Sequence, residues 1–597
     1  MIRRFWRKQI ACLMLCVLVW AGSMAIVGYA QGSNAIVFKI SDRAIAPVND
    51  RLFGHLLERA SWGEPGPEIA LQRGTRSLYP EAVELMQQMN IPLIRFPGGT
   101  DVDYTNWQDL ISNVPDRDVG RPLTVGHTGQ TITNQFGLDE YFQLRDKLSR
   151  GRSKVETILV ANFLDAAAGK VPLEAAAQNV AGLVAYANAP VGAALPEGME
   201  DWPAVRAQNG HPAPFGAEYL QIGNEIWIGR FREAVREGKG LSEPGAIAQW
   251  YLQCLKAYIA AIDAVDPTIA LILDGRMGDD IEKTVLADET IRNRVEYVTF
   301  HDYAPGPINE VLREGIAVSK DDLSSLDWWQ AWVAMPGQFS AEEGVNLGVG
   351  VGEASPEENR TDFVRSLGYK VAITEWNWNG WGFDDIELDD EIDWRLAAGI
   401  GTAGYLNGLM RQGNEVEMAC QSLLVGANWD ITSIRIDPDE DDPPYFWPQG
   451  QMTSFYSNYH GSQLLEVASK NVPSYPQPYK VGWSNTPRGD IAAIDLVATA
   501  DKERLYIHAI NRSLNQTIPI TLDLSSFSNL GDSAEQHMFA KRRNASWKEA
   551  IWNRIRFLWY SPPQEVAEIT SQTLAISKET SEVDLPAQSV SIFAIPI

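Results

Sequence analysis

Tyr219-Leu220-Gln221-Ile222-Gly223-Asn224-Glu225 is a short apolar, β-forming run that stops at a glycine and delivers an amide and a carboxylate side by side. Lys370-Val371-Ala372-Ile373-Thr374-Glu375-Trp376 repeats the plan, again with a carboxylate at the C-terminal end. Six more β-rich runs share the chain with them: Leu52–Leu57, Pro92–Phe96, Thr157–Asn162, Ile269–Leu273, Tyr297–His301 and Val416–Gln421. Helical periodicity fills several intervals. It is clearest at Ala246–Asp263, where an apolar face recurs at helical spacing and Pro267 lies just beyond. Val83–Met89 and Trp394–Leu409 carry the same pattern. Eight short strands alternating with helices predict an α/β fold, a (β/α)8 TIM barrel.

Farther along, the pattern changes. Asp490–Thr499, Leu505–Ile510, Thr517–Leu522 and Ser589–Ile597 are short β-rich runs between turn residues, which predicts a C-terminal all-β sandwich domain. Ala35–Ile40 has no helix behind it and is expected to pair into that sandwich. The expected division is a signal at 1–30, a strand joining the sandwich at 31–50, the barrel at 51–467 and the sandwich at 468–597.

The 597 residues leave room for several domains at ~150 residues each, or for a larger barrel plus one more. A chain 45% hydrophobic and 21% charged is ordinary globular protein, which excludes disordered, collagen-like and multi-spanning classes. Asp plus Glu number 77 against 50 Lys plus Arg, a formal charge of −27. Nucleic acid and anionic lipid are poor partners for such a surface, whereas a neutral sugar is not. The 20 Trp, 19 Tyr and 19 Phe offer ring faces that can stack on sugars, although each taken singly also suits a core.

Arg3, Arg4, Arg7 and Lys8 precede an apolar stretch from Ile10 to about Val27, and Gly28-Tyr29-Ala30 then gives a small-residue site before Gln31. This reads as an export signal, hence a secreted or periplasmic protein with no membrane association after cleavage. The length of the apolar run leaves a retained anchor as the alternative. Cleavage removes four positive charges and no negative one, taking −27 to −31. Cys12 and Cys16 leave with the signal. Cys254 and Cys420 remain, and their pairing is open. With no CxxC and no His/Cys cluster, neither a metal nor another cofactor is expected. The acidic stretches Asp384–Asp393 and Asp437–Asp442 are expected to be solvated loops; calcium is the alternative, without the spacing of an EF-hand.

Reacting groups of a TIM barrel sit at the C-terminal ends of its strands. Four such ends here are polar: Asn224-Glu225, Thr374-Glu375, His301-Asp302-Tyr303, and Arg95 running into Phe96-Pro97-Gly98-Gly99-Thr100. Taken singly, each has an ordinary structural explanation, a helix start, an ion pair or a tight turn. Together, two carboxylates on strands four and seven face each other across one barrel mouth. That arrangement suits glycoside hydrolysis, with one carboxyl as acid and the other as nucleophile if they lie ~5–5.5 Å apart. Desolvation is expected to keep the acid protonated, and a neighbouring Arg or Tyr to keep the nucleophile ionised.

The set resembles glycoside hydrolase family 51, the α-L-arabinofuranosidases of clan A. The correspondence runs from Leu52-Phe53-Gly54-His55-Leu56-Leu57-Glu58 through Ile94-Arg95-Phe96-Pro97-Gly98-Gly99, Asn106-Trp107 and Asn134-Gln135-Phe136-Gly137. It continues through Trp202, Asn209-Gly210, Gly223-Asn224-Glu225, His301-Asp302-Tyr303 and Thr374-Glu375-Trp376 to Ala403-Gly404-Tyr405-Leu406-Asn407 and Val416-Glu417-Met418-Ala419. The resemblance implies a retaining double displacement, with Glu225 as acid/base and Glu375 as nucleophile. It implies that Asn224 bonds the sugar 2-hydroxyl, that Arg95 and Tyr303 hold Glu375, that Glu58 accepts from sugar hydroxyls at the closed end, and that His301 lines the site. Trp107 and Trp227 are implied as walls, with core packing as the equal alternative. A polysaccharide or oligosaccharide is the implied substrate, and a homo-oligomer is an option because members often assemble.

Several positions depart from the family's pattern. Arg59, Phe96 and Asp302 stand where the family has His, Trp and Tyr, and Leu138-Asp139-Glu140 stands where it often has Thr-His-Glu. Trp429 falls near an expected glutamine. Trp378 and Trp381 add aromatics beside Glu375 and suggest subsites for a polymer. The alternatives are an endo-glycanase or β-glycosidase on the same barrel, a carbohydrate-binding pseudoenzyme, and a metal-dependent hydrolase, which would lack a His-rich ligand set.

Overall fold

The structure, a computed structural model, describes residues 35–597 except 118–119, 152, 227–229, 276–279, 307, 335–363, 383–385, 387, 389–391, 438–442, 483–486 and 543–565. The expected signal, Trp227 and most of both acidic stretches lie outside the described residues.

Eight parallel strands close into a barrel in chain order: Gly54–Leu56, Leu93–Phe96, Glu156–Ala161, Tyr219–Ile222, Ala270–Asp274, Val295–Pro305, Lys370–Asn379 and Val416–Ser422. The eighth pairs with the first and completes the ring. Strand parity decides what fills it. In strand two Leu93 joins the lumen core, while Ile94 and Phe96 join the core under the helices. In strand four Tyr219 points inward while Leu220 and Ile222 point outward. In strands two, four and five an inward polar residue comes two beyond the inward apolar one: Arg95 after Leu93, Gln221 after Tyr219, Asp274 after Ile272. The lumen therefore has an apolar floor and a polar mouth.

Strand seven breaks its own parity. Its register against strand six slips between Ile373, opposite Phe300, and Glu375, opposite His301. The extra residue lets Thr374 and Glu375 both reach the lumen. Thr374 Oγ1 lies 2.7 Å from Thr299 Oγ1 and 3.1 Å from His301 Nε2.

The clearest expected helix runs from Pro244 to Asp263 and buries Ile247, Tyr251, Cys254, Leu255, Tyr258 and Ile262 on one face. Trp394–Arg411 is different, being buried all round from Leu396 to Met410. It is wedged between the barrel and the second domain, which explains its weak amphipathicity. At Gly399 an added Cβ would come within 2.8 Å of the Phe539 ring, so this contact needs a glycine.

The second domain is a β-sandwich of nine strands in the order Ala567–Ala575, Ser533–Lys541, Ser589–Pro596, Arg504–Asn511, Ile494–Ala500, Gln463–Lys470, Val37–Pro47, Ile518–Asp523 and Ser581–Leu585. Alternate residues serve two cores. Leu496, Ala498, Leu505, Ile507, Phe593 and Ile595 build the domain's own interior, while Val497, Ile510, Val590 and Ile592 pack toward the barrel. The N-terminal strand, Val37–Pro47, pairs antiparallel with Gln463–Lys470 and parallel with Ile518–Asp523.

Some details differ from expectation. The last barrel helix ends at Asn458, and Gln463–Lys470 spans the boundary placed at Val467. The single strand expected at Asp490–Thr499 is two: Arg488–Ala492, which pairs with Ser474–Gln477, and Ile494–Ala500. Ala567–Ala575 was not foreseen because most of its residues face solvent and carry no apolar alternation. Cys254 and Cys420 are both buried free thiols. Among the described residues no helix is long and apolar enough to cross a membrane.

Candidate active site

The Gly223-Asn224-Glu225 turn at the end of strand four sets the geometry. Gly223 has φ +85° and Glu225 φ +49°, so a non-glycine residue occupies the sparsely populated left-handed region. Asp274, at the end of strand five, braces the turn by accepting from the Ile226 amide at 3.2 Å and from Gln221 Nε2 at 3.0 Å. Burial pushes the Asp274 carboxyl up to about 7, against the pull of His301 and Arg95.

Arg95 is fully buried and spends its guanidinium on three partners. Nε donates to Gln221 Oε1 at 2.9 Å, one Nη to Glu375 Oε1 at 2.6 Å, and the other to Asn224 Oδ1 at 2.6 Å. One planar fork thus fixes strands two, four and seven together. Tyr303 donates to Glu375 Oε2 at 2.9 Å and also contacts Ser422 Oγ. Charge-assisted donors hold both Glu375 oxygens.

His301 joins the two glutamates. Its Nδ1 lies 3.0 Å from Glu225 Oε1 and 3.3 Å from Glu375 Oε2. One oxygen of each carboxylate and a ring nitrogen all lie within 4.8 Å of one another. Such a trio is tight enough for a cation, but Arg95 already sits on Glu375 as a fixed positive charge. Burial pushes the Glu225 carboxyl up, yet the His301 hydrogen bond and charge, with Arg230 and Arg95 behind them, outweigh it and hold Glu225 below its ordinary value. Desolvation, expected to keep the acid protonated, is thus opposed in the empty site by the cations around Glu225. Arg230 Nη lies 3.5 Å from Glu225 Oε2.

Glu58 closes the other side. Burial, then the charge of Glu375, raise its carboxyl well above the ordinary range. Its side chain lies against Gly99, where a Cβ would collide with the carboxyl group. Pro97-Gly98-Gly99 is therefore a close approach as well as a turn. Asn224 Nδ2 is buried without a hydrogen-bond partner, although its Oδ1 is held by Arg95. A fixed amide with one orphan donor is poised for an incoming acceptor.

Glu58, Arg95, Asn224, Glu225, His301, Tyr303 and Glu375 thus converge. Trp107 does not join them. Its indole N–H donates to the Asn179 carbonyl at 2.8 Å and its ring packs edge-on against Trp202 at 4.7 Å, which makes it core under the helices. Of the two added aromatics, Trp378 is fully buried and only Trp381 is exposed. Arg59 ties loops together through Thr105 Oγ1 at 2.8 Å and through Asn134. Sequence reasoning missed Gln221, Asp274, Thr374 and Arg230. For Gln221 and Asp274 the available signal was a polar residue at an inward parity position of a barrel strand.

Residues 85–309 match the family described as "Alpha-L-arabinofuranosidase 1 domain". The chain is 24% identical over 505 residues to an intracellular exo-α-(1→5)-L-arabinofuranosidase of Streptomyces lividans, covering 81% of this chain and 65% of the relative, so it spans just under two thirds of that protein. It is 23% identical over 528 residues to an enzyme of the same name from Halalkalibacterium halodurans, covering 84% of this chain and 89% of the relative. A family 51 α-L-arabinofuranosidase structure from Bifidobacterium longum superposes with TM-score 0.64 at 19% identity, covering 94% of this chain and 99% of the other.

The chain is similar in sequence to α-L-arabinofuranosidases and in fold to those of family 51. Its described fold, the (β/α)8 barrel with a β-sandwich, is the fold of those structures. The departures at Arg59, Phe96 and Asp302 fall on buried residues around the carboxylate cluster, while the cluster itself keeps two glutamates, an arginine, a histidine and a tyrosine in mutual contact.

Proposed function

We propose that this protein is a retaining α-L-arabinofuranosidase that removes terminal arabinofuranosyl residues from a polysaccharide or oligosaccharide. The observation that carries the reading is the pair Glu225 and Glu375, with oxygens within 4.8 Å and a histidine between them. That spacing matches retaining enzymes, whose carboxyl groups lie ~5–5.5 Å apart, and is too short for inverting ones.

In the first step a Glu375 oxygen attacks the anomeric carbon while Glu225 gives its proton to the glycosidic oxygen. The C–O bond breaks, the leaving group departs as an alcohol, and an ester joins the sugar to Glu375. In the second step Glu225, now a carboxylate, takes a proton from water as the water oxygen attacks the same carbon. The ester breaks, and both glutamates return to their starting states. Arg95 and Tyr303 stabilise Glu375 as an anion before attack and as a leaving carboxylate after it. The orphan Asn224 N–H is the donor for the sugar 2-hydroxyl oxygen, a contact that strengthens as positive charge develops at the anomeric carbon. Glu58 accepts from hydroxyls at the far end of the sugar.

We also propose that the chain is exported, on the strength of the basic, apolar and small-residue pattern at its N-terminus. The Streptomyces relative carries the word intracellular in its name, so a fractionation that separates exported from cytoplasmic protein is the direct check. The catalytic roles are tested by Glu225→Gln on arabinofuranosides with different leaving groups. Activated aryl groups should survive the change far better than sugar leaving groups, because only the latter need the proton. Equal loss on both overturns Glu225 as the acid.

A further inference from the structure

Behind the Tyr303 hydroxyl, at the last residue of strand eight, stands Ser422. It is fully buried and sits opposite Leu56 of strand one. Asn377 holds it there from strand seven, two residues beyond Glu375 and opposite Tyr303 in the strand register. The Asn377 amide donates to the Ser422 carbonyl and, at 2.7 Å, to the Ile431 carbonyl in the loop after strand eight. Asn377 is itself fully buried, so the end of strand eight is clamped to strand seven from inside.

Counting protons settles which way the hydroxyls point. An ionised carboxylate only accepts, so the single Tyr303 hydroxyl proton goes to Glu375 Oε2, 2.9 Å away. Tyr303 Oη also contacts Ser422 Oγ, and with its own proton committed it accepts there. The Ser422 proton therefore lies on Tyr303, and the bonds run in series from Ser422 to Tyr303 to Glu375. Bonds in such a chain polarise one another away from water. Burial and the Glu375 charge push the Tyr303 hydroxyl well above its ordinary value, and the bond from Ser422 pulls it back, which makes the phenol a stronger donor.

We propose that Ser422 is a positioning residue for the nucleophile, directing the Tyr303 proton onto Glu375 and strengthening that bond. The assignment rests on the hydrolase reading above. A stronger Tyr303 bond favours the Glu375 anion both before attack and as the carboxylate that leaves the ester. The other groups facing Glu375 are Arg95 from strand two, His301 from strand six, Glu225 after strand four and Glu58 after strand one. The Cys420 thiol of strand eight is pushed up to about 12 by burial and stays neutral. Ser422→Ala leaves all of these in place.

The test is a double-mutant cycle on 4-nitrophenyl α-L-arabinofuranoside, with kcat/KM followed across pH. Ser422→Ala alone should lower kcat/KM about fivefold and move its acid limb to higher pH, because a carboxylate with a weaker donor takes up a proton more readily. In the Tyr303→Phe background the same change should cost less than about twofold and leave the limb where it is. A loss of equal size in both backgrounds, or an acid limb that Ser422→Ala does not move, overturns the assignment, since a serine that only packs would act without the phenol. Failure of the wild type to cleave the arabinofuranoside would sink the hydrolase reading instead. The Ser422 bond to Tyr303 is then decided by NMR of the tyrosine carbon that bears the hydroxyl, with the Tyr303 signal identified through Tyr303→Phe. It stands if Ser422→Ala shifts that signal and falls if it does not.

Discussion

Two clusters of buried charge in this molecule look alike in composition and differ in balance. Where the barrel meets the sandwich, Asp495 accepts from Asn407 at 3.1 Å and Arg512 at 3.3 Å, and pairs with Arg411. Burial works against its charge, but the two arginines win and hold the carboxyl at about 2. One carboxylate facing two guanidiniums and an amide is a satisfied network. At the mouth Glu58, Glu225, Asp274 and Glu375 share Arg95, His301 and the more exposed Arg230, and Asn224 keeps an orphan N–H. That crowding of carboxyls is costly in a folded protein, and it shows in the raised Glu58 and Asp274 carboxyls. The first cluster holds domains together; the second is kept ready for chemistry.

If the contrast is real, mutations in the two clusters must separate activity from stability. Glu375→Gln should have the largest effect, a loss in kcat on the order of 10⁴-fold or more with the fold intact, read by steady-state kinetics and circular dichroism. Glu225→Gln comes next, with a loss of about 10²–10⁴-fold on poor leaving groups. Asp495→Asn should leave kcat alone while lowering unfolding free energy by about 3 kcal/mol, since it takes the counter-charge from the buried Arg512 and the partly exposed Arg411. Loss of activity from that variant under conditions where it remains folded would break the comparison.

The pH dependence follows the same division. The Asp495 carboxyl is depressed from an ordinary ~3.9, so its contribution is fully present above about pH 4 and drains away as pH falls toward 2. A wild-type melting temperature that declines through that window, and a flatter decline in Asp495→Asn, is the expected result. At the mouth His301 lowers Glu225, so His301→Asn should raise the Glu225 pKa and carry the alkaline limb of kcat/KM to higher pH. A shift to lower pH would contradict the pairing. The smallest effect is expected for Glu58→Gln. Because burial and Glu375 oppose ionisation of Glu58, removing the charge should raise the melting temperature slightly while raising KM.

Much of this was legible in the chain. All eight barrel strands announce themselves because parallel strands are buried on both faces and read as continuous apolar runs. The strand-end carboxylates are visible because each interrupts such a run. What lay hidden depended on geometry that no run displays. Asp274 looks like a strand terminus until the Ile226 amide is found on it, and the slip at Thr374 changes the parity of strand seven without any glycine or proline to mark it. Trp107 and Trp62 show the same limit from opposite sides. One indole sits in an attractive motif and is core, whereas the other sits in none and stands exposed at the rim.

The most direct measurement follows the sugar itself, by proton NMR during turnover of an aryl α-L-arabinofuranoside with methanol as competing acceptor. Two displacements between Glu225 and Glu375 predict methyl α-L-arabinofuranoside, with the anomeric configuration kept. A methyl product of β configuration, or a first-formed free sugar with its anomeric centre inverted, contradicts the pairing of those two carboxylates.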